Sequence, residues 1–430
     1  MRCLTFRERD GVSIGPAGEI GELEAEGIAK LAGRLPPGVL TWGHGSLKFG
    51  PFCGVLQTEQ LAIEILPKID HGSDSSEDMR GLLVAMLARA GELGAKRAGD
   101  ADLGQQHSHL LDVFIEDFCS QVKFALRGGA IARYSERTEN LNAIRGRLEL
   151  TEHLRANAFD RSHLLCRFDE RSIDNPYNQA LKGVLRILLG FALSPWTRAM
   201  VAAFLHRFDE VSDLRVTVRD VGALRFDRTI RHWEPVFARA HWLLSGLYPD
   251  VRTGDAAGSA LLFNMEKLFE RVLGLRIRHA CQVQAGARLS VEFQSPVKNL
   301  ATAGFQLRPD IAIQSGGETV AILDAKWKRL DLAEPNSGVS SGDAYQMNAY
   351  ASRYRCKRLA LVYPASRDCP PGRITEFVLM TEERPVLDLV AVDVRELATG
   401  GGIPAGIDAM IPIERHWKQR SSLAPVYEAI

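Results

Sequence analysis

The rhythm of hydrophobic and polar positions changes along the chain. Residues 1–78 hold short apolar stretches cut by glycine and proline, as in GVSIGPAGEIG and LPPGVLTWGHGSLKFGPFCG. This pattern predicts short strands and turns, and Leu61–Leu66 is the clearest strand, stopped by Pro67. HGSDSSED (71–78) is a polar break. From 79 to 254 apolar residues return every three or four positions in Met79–Ala90, Leu110–Leu126, Pro176–Leu193 and Trp196–Phe208, which predicts helices, with a strand-like piece at Gly129–Tyr134. TGDAAGS (253–259) separates the last segment. There, Leu261–Arg278 carries a helical stripe of Leu261, Leu262, Met265, Leu268, Phe269, Val272 and Leu275. Arg288–Phe293 alternates as a strand, and Leu307–Gln314 and Thr319–Leu323 are apolar strands joined through Ser315-Gly316-Gly317-Glu318. A Gly/Ser/Pro-rich loop (334–342), a helix at Asp343–Tyr354 and a buried strand at Leu359–Tyr363 follow. The expected fold is an α+β multidomain chain: a β-rich N-terminal domain (1–78), a mainly helical middle region (79–254) and a C-terminal α/β domain (255–430) with a mixed sheet.

Composition narrows the function. At 430 residues, two or three compact units are expected. Lys+Arg and Asp+Glu both count 53, so the chain lacks the overall basic charge of a nonspecific nucleic-acid binder. Any contact with DNA then falls to a local patch or to a partner. The seven cysteines show no zinc spacing and no CxxC pair, which points to reduced thiols and a cytoplasmic protein. No apolar run approaches a membrane span, and MRCLTFRERDG is not a signal peptide. No P-loop occurs, and GHGS (43–46) lacks the Walker spacing, so the chain is not expected to hydrolyse nucleotides itself.

The chemistry concentrates in one place. Arg308-Pro309-Asp310 is followed fourteen residues later by Asp324-Ala325-Lys326. Asp324 and Lys326 lie two apart on a strand and so share a face. If the two strands pair through the 315–318 turn, Asp310 falls near Asp324, and two carboxylates converge with one ammonium. Convergent carboxylates repel unless a cation sits between them. Mg²⁺, with Mn²⁺ as a substitute, suits oxygen donors of this kind; Asp310, Asp324, the Ala325 carbonyl and Glu266 are the expected ligands. Glu266 and Glu270 occupy neighbouring turns of the preceding helix, and Glu266 is preferred. Gln346 shares a helix face with Asp343 and Tyr350 and is placed to orient the nucleophile or to contact a phosphate. Acid-x-Lys alone is a weak signal. Its placement on adjacent strand-like runs, between a Glu-bearing and a Gln-bearing helix, favours the catalytic core of a PD-(D/E)xK nuclease over a solvated hairpin end with a surface ion pair. The basic runs Lys326-Trp327-Lys328-Arg329 and Arg353–Arg358 fit phosphate contacts or solvated faces.

Over most of its length the chain resembles McrC, the nuclease subunit of the McrBC modification-dependent restriction systems. The resembling segments are IEILPKI (63–69), IRGRLELTEHL (144–154), CRFDERSIDNPYNQALKGVLR (166–186), FNMEKLFERVL (263–273), LRPDIAI (307–313), ILDAKWK (322–328), DAYQMNAYASRY (343–354) and LVYP (361–364). The resemblance implies a Mg²⁺-dependent endonuclease subunit that cuts modified double-stranded DNA, with Asp310, Asp324 and Lys326 carried onto the family's nuclease motif. It implies a McrB-like AAA+ GTPase hexamer as partner, which the N-terminal part of the chain enters and stimulates. Dimerisation through the nuclease end is a further expectation. Arg145 and Arg147 are weighed as GTPase-stimulating residues against ordinary ion pairs. Two competing functions are a non-catalytic DNA-binding assembly subunit and a stand-alone DNA-repair nuclease.

Overall fold

The computed structural model describes residues 2–33, 35–69, 75–91, 109–158, 162–248, 258–285, 288–302, 304–381, 383–400, 405–407 and 411. Residues 253–257 of TGDAAGS lie outside them. The chain is a mixed α/β protein that divides into two compact units, His107–Gly254 and a discontinuous one made of Met1–Gln106 and Asp255–Ile430. This differs from the expected three-part division, because the segments at the two ends of the chain cluster together.

The reason lies at Ser259–Asn264. The apolar run Leu261–Phe263, expected to open the helix Leu261–Arg278, lies instead in a strand paired antiparallel with Phe52–Gln57 of the N-terminal segment. Phe52–Gln57 pairs in turn with Leu61–Leu66, which lies parallel to Arg2–Arg7. Gly54, at φ 140°, lets the two backbones approach: a Cβ there would stand 2.0 Å from the Leu261 carbonyl oxygen. The helix begins one residue after the strand, at Met265, where the Asn264 side chain accepts the Lys267 N–H at 3.0 Å. Helix Ser76–Arg89, expected in the middle region, also belongs to this unit. Arg80 grips the buried Glu64 of the strand Leu61–Leu66 through two hydrogen bonds of 2.8 and 2.6 Å.

The main sheet has six strands in the order Leu289–Phe293, Ile311–Ser315, Glu318–Ala325, Arg358–Pro364, Val386–Val392 and Gly372–Val378. The first three are antiparallel neighbours, and Glu318–Ala325, Arg358–Pro364 and Val386–Val392 run parallel. The last two strands in the order were not foreseen. Helix Ser341–Tyr354 covers the face that holds Ile322, Leu359, Leu361 and Tyr363, burying Met347, Tyr350 and Tyr354 there. Burial of this size drives the fold, at roughly 25 cal/mol per Å² of apolar surface.

In the second unit, Asn175 caps helix Pro176–Phe191, with Pro176 at its first position. Asn175 and the buried Asn178 both donate to the Ile131 carbonyl at 2.8 Å. Lys182 pairs with Asp213 at 2.9 Å. The most distinctive middle segment of the sequence is therefore occupied in holding this unit together.

In the discontinuous unit, Glu8 ties the end of strand Arg2–Arg7 to Trp327. Its Oε1 accepts both the Trp327 Nε1–H at 2.7 Å and the Lys68 N–H at 3.1 Å, while its buried Oε2 has no hydrogen-bond partner. Burial pushes the Glu8 carboxyl from 4.5 up to about 7. A raised folded-state pKa adds stability that is fully present below 4.5 and is lost as pH rises through about 7. Glu8→Gln keeps the shared Oε1 acceptor and carries no charge. Its melting temperature should therefore fall less than that of the wild type between about pH 5 and about pH 8. Parallel melting curves for the two proteins across that range would show that Glu8 is not the titrating group.

Candidate active site

Three neighbouring strands bring Gln294, Asp310 and Asp324 into one row. Phe293 pairs with Ile311 and Ile311 with Leu323, so the next residues along each strand are these three. The Gln294 N–H extends the ladder by donating to the Asp310 carbonyl at 3.1 Å. The hairpin predicted from the sequence is present, with strands at Ile311–Ser315 and Glu318–Ala325. Asp310 does lie beside the Asp324 end: its Oδ2 accepts the Ala325 N–H at 2.9 Å and its Oδ1 accepts Gln294 Nε2 at 3.0 Å.

Asp324 is buried, at 1% exposure, on the face that helix Ser341–Tyr354 covers. Lys326, two residues on, turns its ammonium to Asp324 Oδ2 at 2.6 Å and Asp343 Oδ1 at 3.2 Å, and donates to Gln346 Oε1 at 3.0 Å. The Gln346 amide also donates to Asp324 Oδ1 at 3.1 Å. Tyr350, one turn further along the helix, donates to the Arg308 carbonyl at 2.9 Å. Asp343, Gln346 and Tyr350 reach the site together because three- and four-residue steps keep them on one helix face.

The two glutamates of the preceding helix separate. Glu266, the preferred one, is 54% exposed and stands 3.5 Å from Arg9, outside the hydrogen-bonded cluster. Glu270 joins it instead, accepting Gln294 Nε2 at 2.7 Å, so one amide bridges Glu270 and Asp310. Gln294 was not identified from the sequence. Its φ of 51° turns the chain just beyond its strand, a conformation that costs a non-glycine residue on the order of 1 kcal/mol. A polar residue directly after an alternating strand was the only sign of it.

The electrostatics are those of crowded acids. Burial, then the Asp324 charge, then Glu270 push the Asp310 carboxyl from 3.8 up to about 7. Burial raises Asp324 despite the opposing charge of Lys326, and burial with Asp324 behind it raises Glu270. Burial alone would lower Lys326; the ion pairs with Asp324 and Asp343 outweigh it and hold the ammonium charged. Among the described residues no three His, Cys, Asp or Glu side chains close into a metal cage. Asp310 and Asp324 are instead neighbouring carboxylates, and oxygen donors of this kind suit a hard cation that keeps part of its water shell, as Mg²⁺ does.

The sequence matches the family described as "McrBC 5-methylcytosine restriction system component" over residues 47–364, well beyond half of the chain. The chain belongs to the McrBC family. The McrC resemblance of the sequence is thereby borne out, and the protein is a component of a McrBC-type restriction system. No curated protein matches it. A chain in the refined half-complex of the tetradecameric assembly of Thermococcus gammatolerans McrB AAA+ hexamers with bound McrC is similar at 17% identity. That match has a TM-score of 0.70 and covers 92% of this chain and 98% of that one. A chain of the Thermococcus gammatolerans McrBC complex is similar at 18% identity, with a TM-score of 0.51, covering 64% of this chain and 88% of that one. At these identities the likeness carries the fold. Within this McrBC-family chain, Arg145 pairs with Glu170 at 3.4 Å and lies over the Phe168 ring, and Arg147 stands 3.8 Å from Glu149. No described helix is long and apolar enough to cross a membrane.

Proposed function

We propose that this chain is the DNA-cleaving subunit of a McrBC-like restriction complex and that residues 255–430 carry a PD-(D/E)xK-type active site. The observation that carries the reading is the half-buried Asp310 beside the buried Asp324, with Lys326, on one β-ribbon. Two such carboxylates side by side cost stability with nothing to neutralise them, and a charged lysine beside them suits a reacting phosphate. Mg²⁺, held by Asp310 and Asp324 with the Ala325 carbonyl, would supply Lewis-acid stabilisation of the phosphate and a lowered water pKa. Glu270, rather than Glu266, is the third acid, tied to Asp310 through Gln294. Lys326 is held at one end of the site by Asp343 and Gln346, where it neutralises charge developing on the phosphate or orders the attacking water. Gln346 fixes both Asp324 and Lys326, so it positions the two groups relative to each other.

The partner in this reading is an AAA+ GTPase hexamer of the McrB type, since the Thermococcus gammatolerans relative is seen with McrB hexamers and bound McrC. The substrate is modified double-stranded DNA, and the place of action is the cytoplasm. Together with its cognate GTPase, GTP and Mg²⁺, the wild-type chain should linearise modified plasmid, and chelating the metal should stop it. Glu270→Gln should slow cutting about 10- to 100-fold. Glu266→Gln, which loses only an exposed ion pair, should stay within about fivefold of wild type. Cutting that persists without divalent metal, or that depends on Glu266 and not on Glu270, would contradict this arrangement.

A further inference from the structure

Beside the proposed site lies a cleft of about 600 Å³. It opens at the carboxyl ends of the adjacent parallel strands Glu318–Ala325 and Arg358–Pro364, the end of an α/β sheet where ligands characteristically bind. Its walls come from distant parts of the sequence: Arg7, Arg9 and Lys68 from the N-terminal segment, Lys328 and Arg329 from the run after Lys326, and Pro364, Ala365 and Ser366 at the end of strand Arg358–Pro364. Five cationic residues lining one cavity stand out in a chain of zero net charge. Lys328 links the cleft to the reacting centre, since it lies 2.7 Å from Asp343, the carboxylate that also holds Lys326.

We propose that this cleft is a second phosphate-binding subsite, taking the DNA backbone next to the scissile phosphate, so that the N-terminal segment completes the DNA-cleaving site. The inference rests on the nuclease reading and adds the residues that hold the flanking backbone. The cleft is built rather than incidental. Trp327 is pinned between Glu8 and Phe269, and Arg9 donates to the Trp327 carbonyl at 3.1 Å. The cationic groups face solvent: Arg9 is 44%, Lys68 58% and Arg329 55% exposed. Their carboxylate partners, Glu266, Asp10 and Asp368, are also at the surface, where such pairs contribute little. A phosphodiester can therefore take the place of each carboxylate at small cost. Glu8 does not cancel the charge in full, because burial disfavours its ionised form.

The test is binding of a fluorescently labelled 30-base-pair duplex to the full chain, with Ca²⁺ in place of Mg²⁺ to prevent cutting, over a series of salt concentrations. The triple variant Arg9→Gln/Lys68→Gln/Arg329→Gln should bind at least tenfold more weakly. Its slope of log affinity against log salt should become shallower by about two to three, at roughly 0.9 for each phosphate that is no longer neutralised. Arg231→Gln, a control in the other unit, should change neither. A wild-type chain that does not bind the duplex, or a triple variant with an unchanged slope, overturns the proposal. Failure of the nuclease reading would look different: wild-type chain with its GTPase and Mg²⁺ would bind the duplex with this salt dependence and leave plasmid uncut.

Discussion

Replacing Asp324 by asparagine should lower DNA cleavage by on the order of 10³-fold, equivalent to about 4 kcal/mol of lost transition-state stabilisation. The substitution removes one of the two carboxylate charges proposed to hold the cation while changing little else. Asparagine keeps an oxygen to accept the Gln346 amide, which now donates to Asp324 Oδ1 at 3.1 Å. Lys326 keeps Asp343 at 3.2 Å and Gln346 at 3.0 Å. Asp310 loses a repelling neighbour, the second cause of its raised pKa after burial. The fold should therefore survive, and so should stimulation of the partner's GTP hydrolysis, which the McrC resemblance implies for the N-terminal part of the chain. Plasmid cleavage and GTP hydrolysis measured on the same preparation separate the two. Loss of both together would mean that the variant has failed to fold or assemble, and cleavage near the wild-type level would remove Asp324 from the reaction.

Lys326→Met should have the largest effect on stability. It leaves Asp324, whose side chain is 2% exposed, without its closest countercharge. Breaking a buried pair from one side typically costs about 3–5 kcal/mol, whereas replacing both partners costs far less. At an unfolding entropy of about 2.1 cal/mol/K per residue, 1 kcal/mol shifts the melting temperature of a 430-residue chain by about 1 °C, so it should fall by roughly 3–5 °C. The double variant Asp324→Asn/Lys326→Met should recover most of that loss, because no buried charge remains unpaired. Thermal melts of the four proteins complete the cycle. A Lys326→Met chain as stable as wild type would show that Asp324 is already uncharged in the folded protein.

How much of this could be read from the sequence depended on how local the cause was. The Asp310–Asp324–Lys326 cluster needs only a period of two along each strand and a short turn, which Gly316 and Gly317 make at φ 59° and 86°. The choice between Glu266 and Glu270 was not local. Both lie on one helix face, and the outcome was set by Gln294, whose turn places an amide against Glu270. The run Ala260–Phe263 satisfies helical and extended spacing equally. Pairing with Phe52–Gln57, some two hundred residues earlier, decides for a strand. Strand Val386–Val392 is buried on both faces, so it lacks the alternation that marks a half-exposed strand. Its one acid, Asp388, is held by Arg373 at 2.6 Å, a pairing that exists only once Gly372–Val378 lies alongside.

Calorimetric titration of the full chain with Mn²⁺ at neutral pH, in the presence of duplex DNA, tests most directly whether Asp310 and Asp324 form a divalent-cation site. Wild type should give one saturable binding event that disappears in Asp310→Ala and Asp324→Asn and persists in Glu266→Gln. Equal heats from wild type and the two aspartate variants would contradict the account.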